Sequence, residues 1–357
     1  MRQSGTLSAR AFAAFYAVGL WAAACAGPAH AQTQQAGPPE PATEPEPATE
    51  PAPAPAPYSP PDSELMVPVE GGRVYVRING VIESADKAPA IFIHGGPGGT
   101  HSGFASMLGL AKDRPIILYD QLGSGKSDRP DNPANWRVER FVEELEAVRA
   151  AVGAEKLHLV GISWGAALAL EYSARYPDRV ASTVLGGTFI STPHWLTDAN
   201  LLVQDLSPDQ QATLKACESD EAPDKATCKA IYDRVYSRHY QRPDYGDALR
   251  EYRKTYGGEG RNGLIYNSMW GPSEFSSSGI LRNYDATLKL RELTGDKVLF
   301  LIGQYDSARI DTVQEFVALT PGAELAVVPG GGHGFLLDRP LETEAILRGW
   351  LNRKDAE

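Results

Sequence analysis

Three side chains of this 357-residue chain have the types and settings that nucleophilic catalysis needs: Ser163, Asp306 and His333. Ser163 is the centre of Gly161-Ile162-Ser163-Trp164-Gly165, with the apolar run Leu157 to Val160 before it and the alanine-rich segment Ala166 to Arg175 after it. Strand, sharp turn and helix in that order hold a serine on a strained turn with its hydroxyl exposed above a sheet. Gly161 and Gly165 suit a place where strand and helix backbones pass closely. A serine hydroxyl is a weak nucleophile until a base takes its proton, and a histidine oriented by a carboxylate is that base. His333 follows the strand-like run Glu324 to Val328 through three glycines, and Asp306 follows the run Val298 to Ile302. Of the other histidines, His158 falls inside the strand before the serine, His194 and His239 fall in a helical stretch, and none follows a late strand.

The attacked carbonyl also needs donors for its developing negative charge. His94-Gly95-Gly96-Pro97-Gly98-Gly99 follows the short apolar strand Ala90 to Ile93. It lacks the G-K-[ST] ending of a phosphate loop and opens no helix with G-x-G-x-x-G, so it reads as a loop that offers a backbone N–H to an oxyanion. Gly96 is the expected donor from this loop, and the N–H of Trp164 its partner.

These residues must be positioned by an alternating chain. Val67 to Val69 and Val74 to Ile78 read as a strand pair turned at Gly71-Gly72. Pro115 to Tyr119 and Val180 to Leu185 read as strands, and Trp136 to Val152 carries helical spacing at Phe141, Val142, Leu145, Val148 and Ala151. Alternation of this kind predicts a mostly parallel sheet covered on both faces, and the order serine, acid, histidine is that of an α/β-hydrolase fold. From Ser191 to Asp285 only helical segments are expected (Thr197 to Asp205, Pro208 to Ala216, Ala226 to Tyr240, Tyr245 to Tyr256). The expected organisation is a core of residues 63–190 and 286–357 with an all-helical cap of residues 191–285 inserted in it.

Residues 1–31 read as a signal peptide. Arg2 and Arg10 precede an apolar run, and Ala29-His30-Ala31 has the small-x-small cleavage pattern, which predicts export to the periplasm or beyond and no stable membrane insertion. Cys25 opens an alternative, cleavage ahead of it and anchoring by lipid. Residues 32–62 are a proline, alanine and glutamate tract with Pro-Ala-Thr-Glu-Pro twice, expected to be an extended tether. The net charge of −11 leaves the globule moderately acidic, which argues against nucleic acid as a partner. Loss of the leader leaves Cys217 and Cys228, for which a disulfide is the expectation in an oxidising compartment. No histidine cluster accompanies them at metal-ligand spacing.

The motifs together resemble the proline iminopeptidase family of α/β-hydrolases, in particular its broad aminopeptidases and amino-acid amidases. The resemblance is carried by HGGPG (His94 to Gly98), DQLGSGKSDRP (Asp120 to Pro130), RFVEELEAV (Arg140 to Val148), GISWG (Gly161 to Gly165), TDAN (Thr197 to Asn200) and MWGPSEF (Met269 to Phe275), spread over residues 63 to 350. It implies removal of an N-terminal residue from a small peptide, or of the amine from an amino-acid amide, with no cofactor and no metal. It also implies cap carboxylates that hold the substrate's α-ammonium: Glu274, and Asp233 in the place of a second acid. Trp270 stands where the family often has asparagine, which bears on the preference for proline. An esterase or lactonase would use the same triad without needing an ammonium. A non-catalytic binding protein would leave Ser163 unreactive, and epoxide hydrolase or dehalogenase chemistry is excluded because it needs a carboxylate at the elbow. Oligomeric state is not fixed by the sequence.

Overall fold

The computed structural model describes residues 58–83, 85–219, 222–240 and 246–356. The leader with Cys25, and the tether up to residue 57, lie outside them. Gly71, at φ +93°, turns the chain between β1 (Ser63–Val69) and β2 (Gly72–Asn79), as the Gly-Gly pair predicts. The chain continues through β3 (Ala90–Ile93), β4 (Ile116–Tyr119), α1 (Val138–Ala151), β5 (Leu157–Ile162), α2 (Trp164–Arg175) and β6 (Val180–Gly186). Among the described residues five α-helices, then three short 3-10 turns, precede the next strand: α3 (Thr192–Val203), α4 (Pro208–Cys217), α5 (Lys225–His239), α6 (Gly246–Tyr256) and α7 (Gly263–Met269). Then come β7 (Val298–Gly303), α8 (Ile310–Ala318), β8 (Glu324–Val328), α9 (Phe335–Asp338) and α10 (Pro340–Asp355).

The strands form one sheet in the order β1-β2-β4-β3-β5-β6-β7-β8. β1 and β2 pair antiparallel, as do β2 and β4, and every other pairing is parallel. The inner strands β3, β4, β5 and β7 are buried along their whole length, which is why they read as unbroken apolar runs. Alternate side chains feed opposite layers. Leu157 and Leu159 pack with Leu145 and Val148 of α1, Leu168 of α2 and Phe316 of α8, whereas Val160 and Ile162 face Phe104, Leu347 and Trp350.

Two features lie outside the sequence reading. His101–Lys112 is a 3-10 run, covering the second layer with Phe104, Met107 and Leu110. Within 191–285, α3, α4 and α5 share a small cluster of their own (Ala199, Leu206, Leu214, Ile231, Val235, Phe275), but α6 does not join it. Leu249 and Tyr252 of α6 pack into the second core layer, where the Tyr252 hydroxyl accepts from the buried Arg77 guanidinium at 2.7 Å. The ends of the insertion are zipped together: Thr192 N–H donates to Tyr284 O at 2.8 Å, and Ala286 N–H to Ile190 O at 3.0 Å. The structure pairs Cys217 of α4 with Cys228 of α5 as a disulfide, with a Cα–Cα distance of 5.6 Å. Among the described residues no helix is long and apolar enough to cross a membrane.

The tightest packing lies where β5 becomes α2. A Cβ on Gly161 would overlap the carbonyl of Gly165, and a Cβ on Gly165 would overlap the carbonyl oxygen of Ile93 in β3. Neither obstacle is a flexible side-chain end. Gly165→Ala therefore costs at least about 3 kcal/mol, the upper end of what an added methyl costs in a packed interior. Thermal unfolding of the variant tests this, and a melting temperature equal to wild type would refute the reading.

Candidate active site

Ser163 occupies the single residue between β5 and α2, and its backbone is held at φ +58°, ψ −123°. A non-glycine residue there carries roughly 1–3 kcal/mol of strain and persists only where its surroundings enforce it. Enforcement comes from the glycine contacts just described and from the Ser163 N–H, which donates to Gly186 O at 2.8 Å. Gly95 of the glycine loop lies against the Ser163 side chain, where a Cβ on Gly95 would meet Ser163 Cβ at 2.9 Å. The next loop residue, Gly96, has φ +116°, and the loop closes on a Gly99 N–H to Gly95 O bond of 3.1 Å. Gly96, Pro97, Ser163 and Trp164 line one small cavity with Phe189, Trp195, Trp270, Leu281 and Glu274. Trp164 is the first residue of α2, where backbone N–H groups have no partner inside the helix and the helix dipole is positive.

Asp306 and His333 stand just past the carboxyl ends of β7 and β8, at the same end of the parallel strands as Ser163. The ring Nδ1–H of His333 donates to Asp306 Oδ1 at 2.7 Å, and the same oxygen accepts from Ala308 N–H at 3.0 Å. Gly187 leaves room for the imidazole; a Cβ there would meet the ring at 2.9 Å. Burial by itself pushes His333 down, because it disfavours imidazolium. The charge of Asp306 and its hydrogen bond, joined by the charges of Glu274 and Asp338, outweigh burial and leave the pKa raised above the ordinary 6.5. Its backbone is fixed from the insertion: His333 N–H donates to His239 O at 2.6 Å, and Gly334 N–H to Tyr240 O at 2.8 Å.

Glu274 faces the cavity from the turn after α7. Its carboxylate accepts from the Tyr266 hydroxyl at 2.5 Å and from the Trp195 indole N–H at 3.1 Å. Trp195 also packs edge-on against His333, with ring centroids 5.3 Å apart, so one indole touches both the acid and the base. Trp270 is both wall and brace: it lines the cavity, and its indole N–H donates to Ser273 O at 2.6 Å, next to Glu274.

Asp233 is not brought to this place, which corrects the expectation that it joins Glu274. It projects from the exposed side of α5 and pairs with Lys229 one turn earlier. The buried positions of that helix are Ile231 and Val235, and Tyr236 stacks on Phe275 instead. Glu274 is thus the one carboxylate among the cavity-lining residues. Residues that sequence reasoning did not single out are Trp195, Tyr240 and Gly187. Of these, only Trp195 had a signal, lying two residues before the TDAN motif. Among the described residues no group of three or more His, Cys, Asp or Glu is placed to hold a metal ion. A positioned hydroxyl, a base with its carboxylate and two backbone donors are together suited to acyl transfer from a carbonyl carbon.

The sequence matches the alpha/beta hydrolase fold family over residues 89–340. It is 36% identical over 295 residues to a proline iminopeptidase of Heyndrickxia coagulans, covering 81% of this chain and 99% of that protein. A proline iminopeptidase of Levilactobacillus brevis is 32% identical over 295 residues, with 82% of this chain and 97% of that protein covered. Among solved structures, the proline iminopeptidase of Mycobacterium smegmatis aligns with a TM-score of 0.72 at 28% identity, over 82% of this chain and 99% of that one.

A base works only when neutral, so the raised pKa of His333 places an ascending pH limb above the ordinary imidazole value of 6.5. The rate of Ser163 phosphonylation by a fluorophosphonate, measured from pH 5 to 9, reads that limb without a substrate. Asp306→Asn lowers the plateau by roughly 1,000-fold or more and moves the limb to lower pH, since the raising charge is gone. A limb centred below 6.5 in the wild type would contradict the assignment.

Proposed function

The chain belongs to the proline iminopeptidase family of α/β-hydrolases, and from that premise we propose that this aminopeptidase releases an N-terminal proline, or another small apolar residue, from short peptides. Amino-acid amides are a second substrate form with the same acyl group. The observation that carries the proposal is Glu274: a carboxylate held by Tyr266 and Trp195 in the cavity that Ser163, Gly96 and Trp164 also line. A carboxylate in an aromatic-walled cavity favours a cationic partner, and a substrate without one leaves the acid unpaired. That is the physical basis for cutting only at a free amino terminus.

The mechanism proceeds through an acyl-enzyme. The substrate's α-ammonium docks on Glu274, which sets its carbonyl carbon over Ser163 and its carbonyl oxygen toward the N–H groups of Gly96 and Trp164. Ser163 Oγ attacks as its proton passes to His333 Nε2, and the oxygen that gains the charge is stabilised by the two donors. Each donor of this kind lowers the barrier by about 3–4 kcal/mol. As the tetrahedral adduct collapses, His333 gives its proton to the leaving amine. Water then attacks the ester, its proton returns through His333 to Ser163, and the free amino acid leaves. Asp306 keeps the proton of the neutral ring on Nδ1 and stabilises the imidazolium.

Hydrolysis of prolyl, alanyl and phenylalanyl arylamides beside their N-acetylated forms tests this reading. Free amines are the substrates, and Glu274→Gln lowers kcat/KM for them by roughly 100-fold, the loss expected when a charged partner is left unpaired. Asp233→Asn changes it by less than about 2-fold, as for an exposed surface pair. Equal turnover of the acetylated substrates would move the assignment to an esterase or general amidase.

The same proposal includes export. Arg2, Arg10 and Ala29-His30-Ala31 support a cleaved leader, and the pairing of Cys217 with Cys228 fits an oxidising compartment. The mass of the protein recovered from the exported fraction should correspond to a chain starting at Gln32. A membrane-bound form starting at Cys25 with added lipid mass would establish the anchored alternative.

A further inference from the structure

One buried side chain beside the nucleophile takes no part in the steps above. Gln121 follows Asp120 directly after β4 and is 1% exposed. Its amide joins two segments that are distant in sequence. The oxygen Oε1 accepts from the indole Nε1–H of Trp164 at 3.0 Å, and Nε2–H donates to the main-chain carbonyl of His94 at 2.8 Å. An indole only donates and a carbonyl only accepts, so these partners settle which end of the amide is oxygen. The backbone N–H of Gln121 adds a third bond, to Nε2 of His94 at 3.0 Å. Because Nε2 accepts, the His94 ring is neutral with its proton on Nδ1, which lies 3.0 Å from Gly95 O. Burial supports that state by holding His94 below the ordinary imidazole pKa, against the pull of Asp120.

We propose that Gln121 is a positioning residue for the oxyanion hole: its amide clamps the loop that carries Gly96 to Trp164 and so fixes the spacing of the two backbone donors. The proposal rests on reading Gly96 and Trp164 as that hole. His94 lies two residues before Gly96, and the loop beyond it has only glycines and a proline up to Gly99, with no side chain able to brace it. Backbone bonds hold the far end of the loop, from Asn262 N–H to Gly98 O at 2.8 Å and from Gly99 N–H to Gly95 O at 3.1 Å, and the hydrogen bonds to His94 hold the end that leads into Gly96. The geometric demand is strict, because both donors must come within roughly 2.7–3.1 Å of the oxygen as it becomes charged. Glutamate is not an equivalent, since it would set a second acceptor oxygen against the His94 carbonyl.

The test compares wild type with Gln121→Met, Gln121→Glu, Trp164→Phe and the Gln121→Met/Trp164→Phe double variant. Three readouts are taken on protein whose near-ultraviolet circular dichroism matches wild type: kcat and KM for prolyl p-nitroanilide, the same for p-nitrophenyl acetate, and the rate of Ser163 phosphonylation. Gln121→Met and Gln121→Glu should lower kcat and the phosphonylation rate by about 10-fold or more with KM within about 2-fold, since a misplaced hole weakens only the transition state. Trp164→Phe, which unties the clamp from its other end, should show a smaller fall. The double variant should be no worse than Gln121→Met, because the shared bond is already lost. Variants that melt earlier but keep kcat and labelling rate, or a double variant with fully additive losses, would overturn the proposal. A wild type whose Ser163 is never labelled would do the same. A wild type that turns over the ester and labels but ignores the prolyl anilide would instead refute the peptidase reading, with Gln121 still judged on the other two readouts.

Discussion

The site depends on three backbones forced into contact where β5 meets α2. Gly161 and Gly165 let the helix start directly on the sheet, with the Gly165 Cα against the carbonyl of Ile93 and that of Gly161 against the carbonyl of Gly165. With no room for a longer turn, the one residue between strand and helix takes a positive φ, and that residue is Ser163. The strain, roughly 1–3 kcal/mol, is offset by the burial of Leu168, Leu170 and Tyr172 behind it, each worth about 1.5–3 kcal/mol. The same compression starts α2 at Trp164, so an unpaired N–H at the positive end of a twelve-residue helix lies beside the hydroxyl. Nucleophile and donor are two results of one packing constraint.

Electrostatics then sets a tension. Phe189, Trp195, Trp270 and Leu281 in the cavity wall weaken solvation of any charge within it, yet Asp306, Glu274 and Asp338 all act on His333 and raise its pKa. A raised pKa makes imidazolium easier to form during attack, but it also keeps more of the resting base protonated near neutrality. In the docking proposed above, a substrate ammonium paired with Glu274 would cancel one of these raising charges.

Much of this was legible in the sequence because it is local. The strand, G-x-S-x-G and helix succession, and the acid and histidine at strand ends, are short-range patterns whose geometry follows from their spacing. The 3-10 run at His101–Lys112 was not read; its signal is the three-residue spacing of His101, Phe104, Met107 and Leu110, all buried. Asp233 was misplaced by motif likeness where periodicity was the better guide. Ile231 and Val235 mark the inward stripe of α5, and a residue two positions after Ile231 points about 200° away. Trp195, Tyr240 and the amide of Gln121 matter through contacts with residues far along the chain, which composition and spacing do not encode.

The insertion also supplies part of the catalytic apparatus, and α5 is where this happens. Its terminal carbonyls, His239 O and Tyr240 O, accept the N–H groups of His333 and Gly334, and Tyr240 packs edge-on against the imidazole at 5.5 Å. These carbonyls fix the loop that carries the base. Along the same helix, Tyr232 and Tyr236 stack on Phe275, the residue after Glu274. One helix therefore braces both the residue next to Glu274 and the backbone of His333. A swing of α5 away from the sheet would break two backbone hydrogen bonds to the His333 loop, so α5 cannot serve as a freely opening lid without disabling the base. Packing along α5 thus links the position of Glu274 to that of His333.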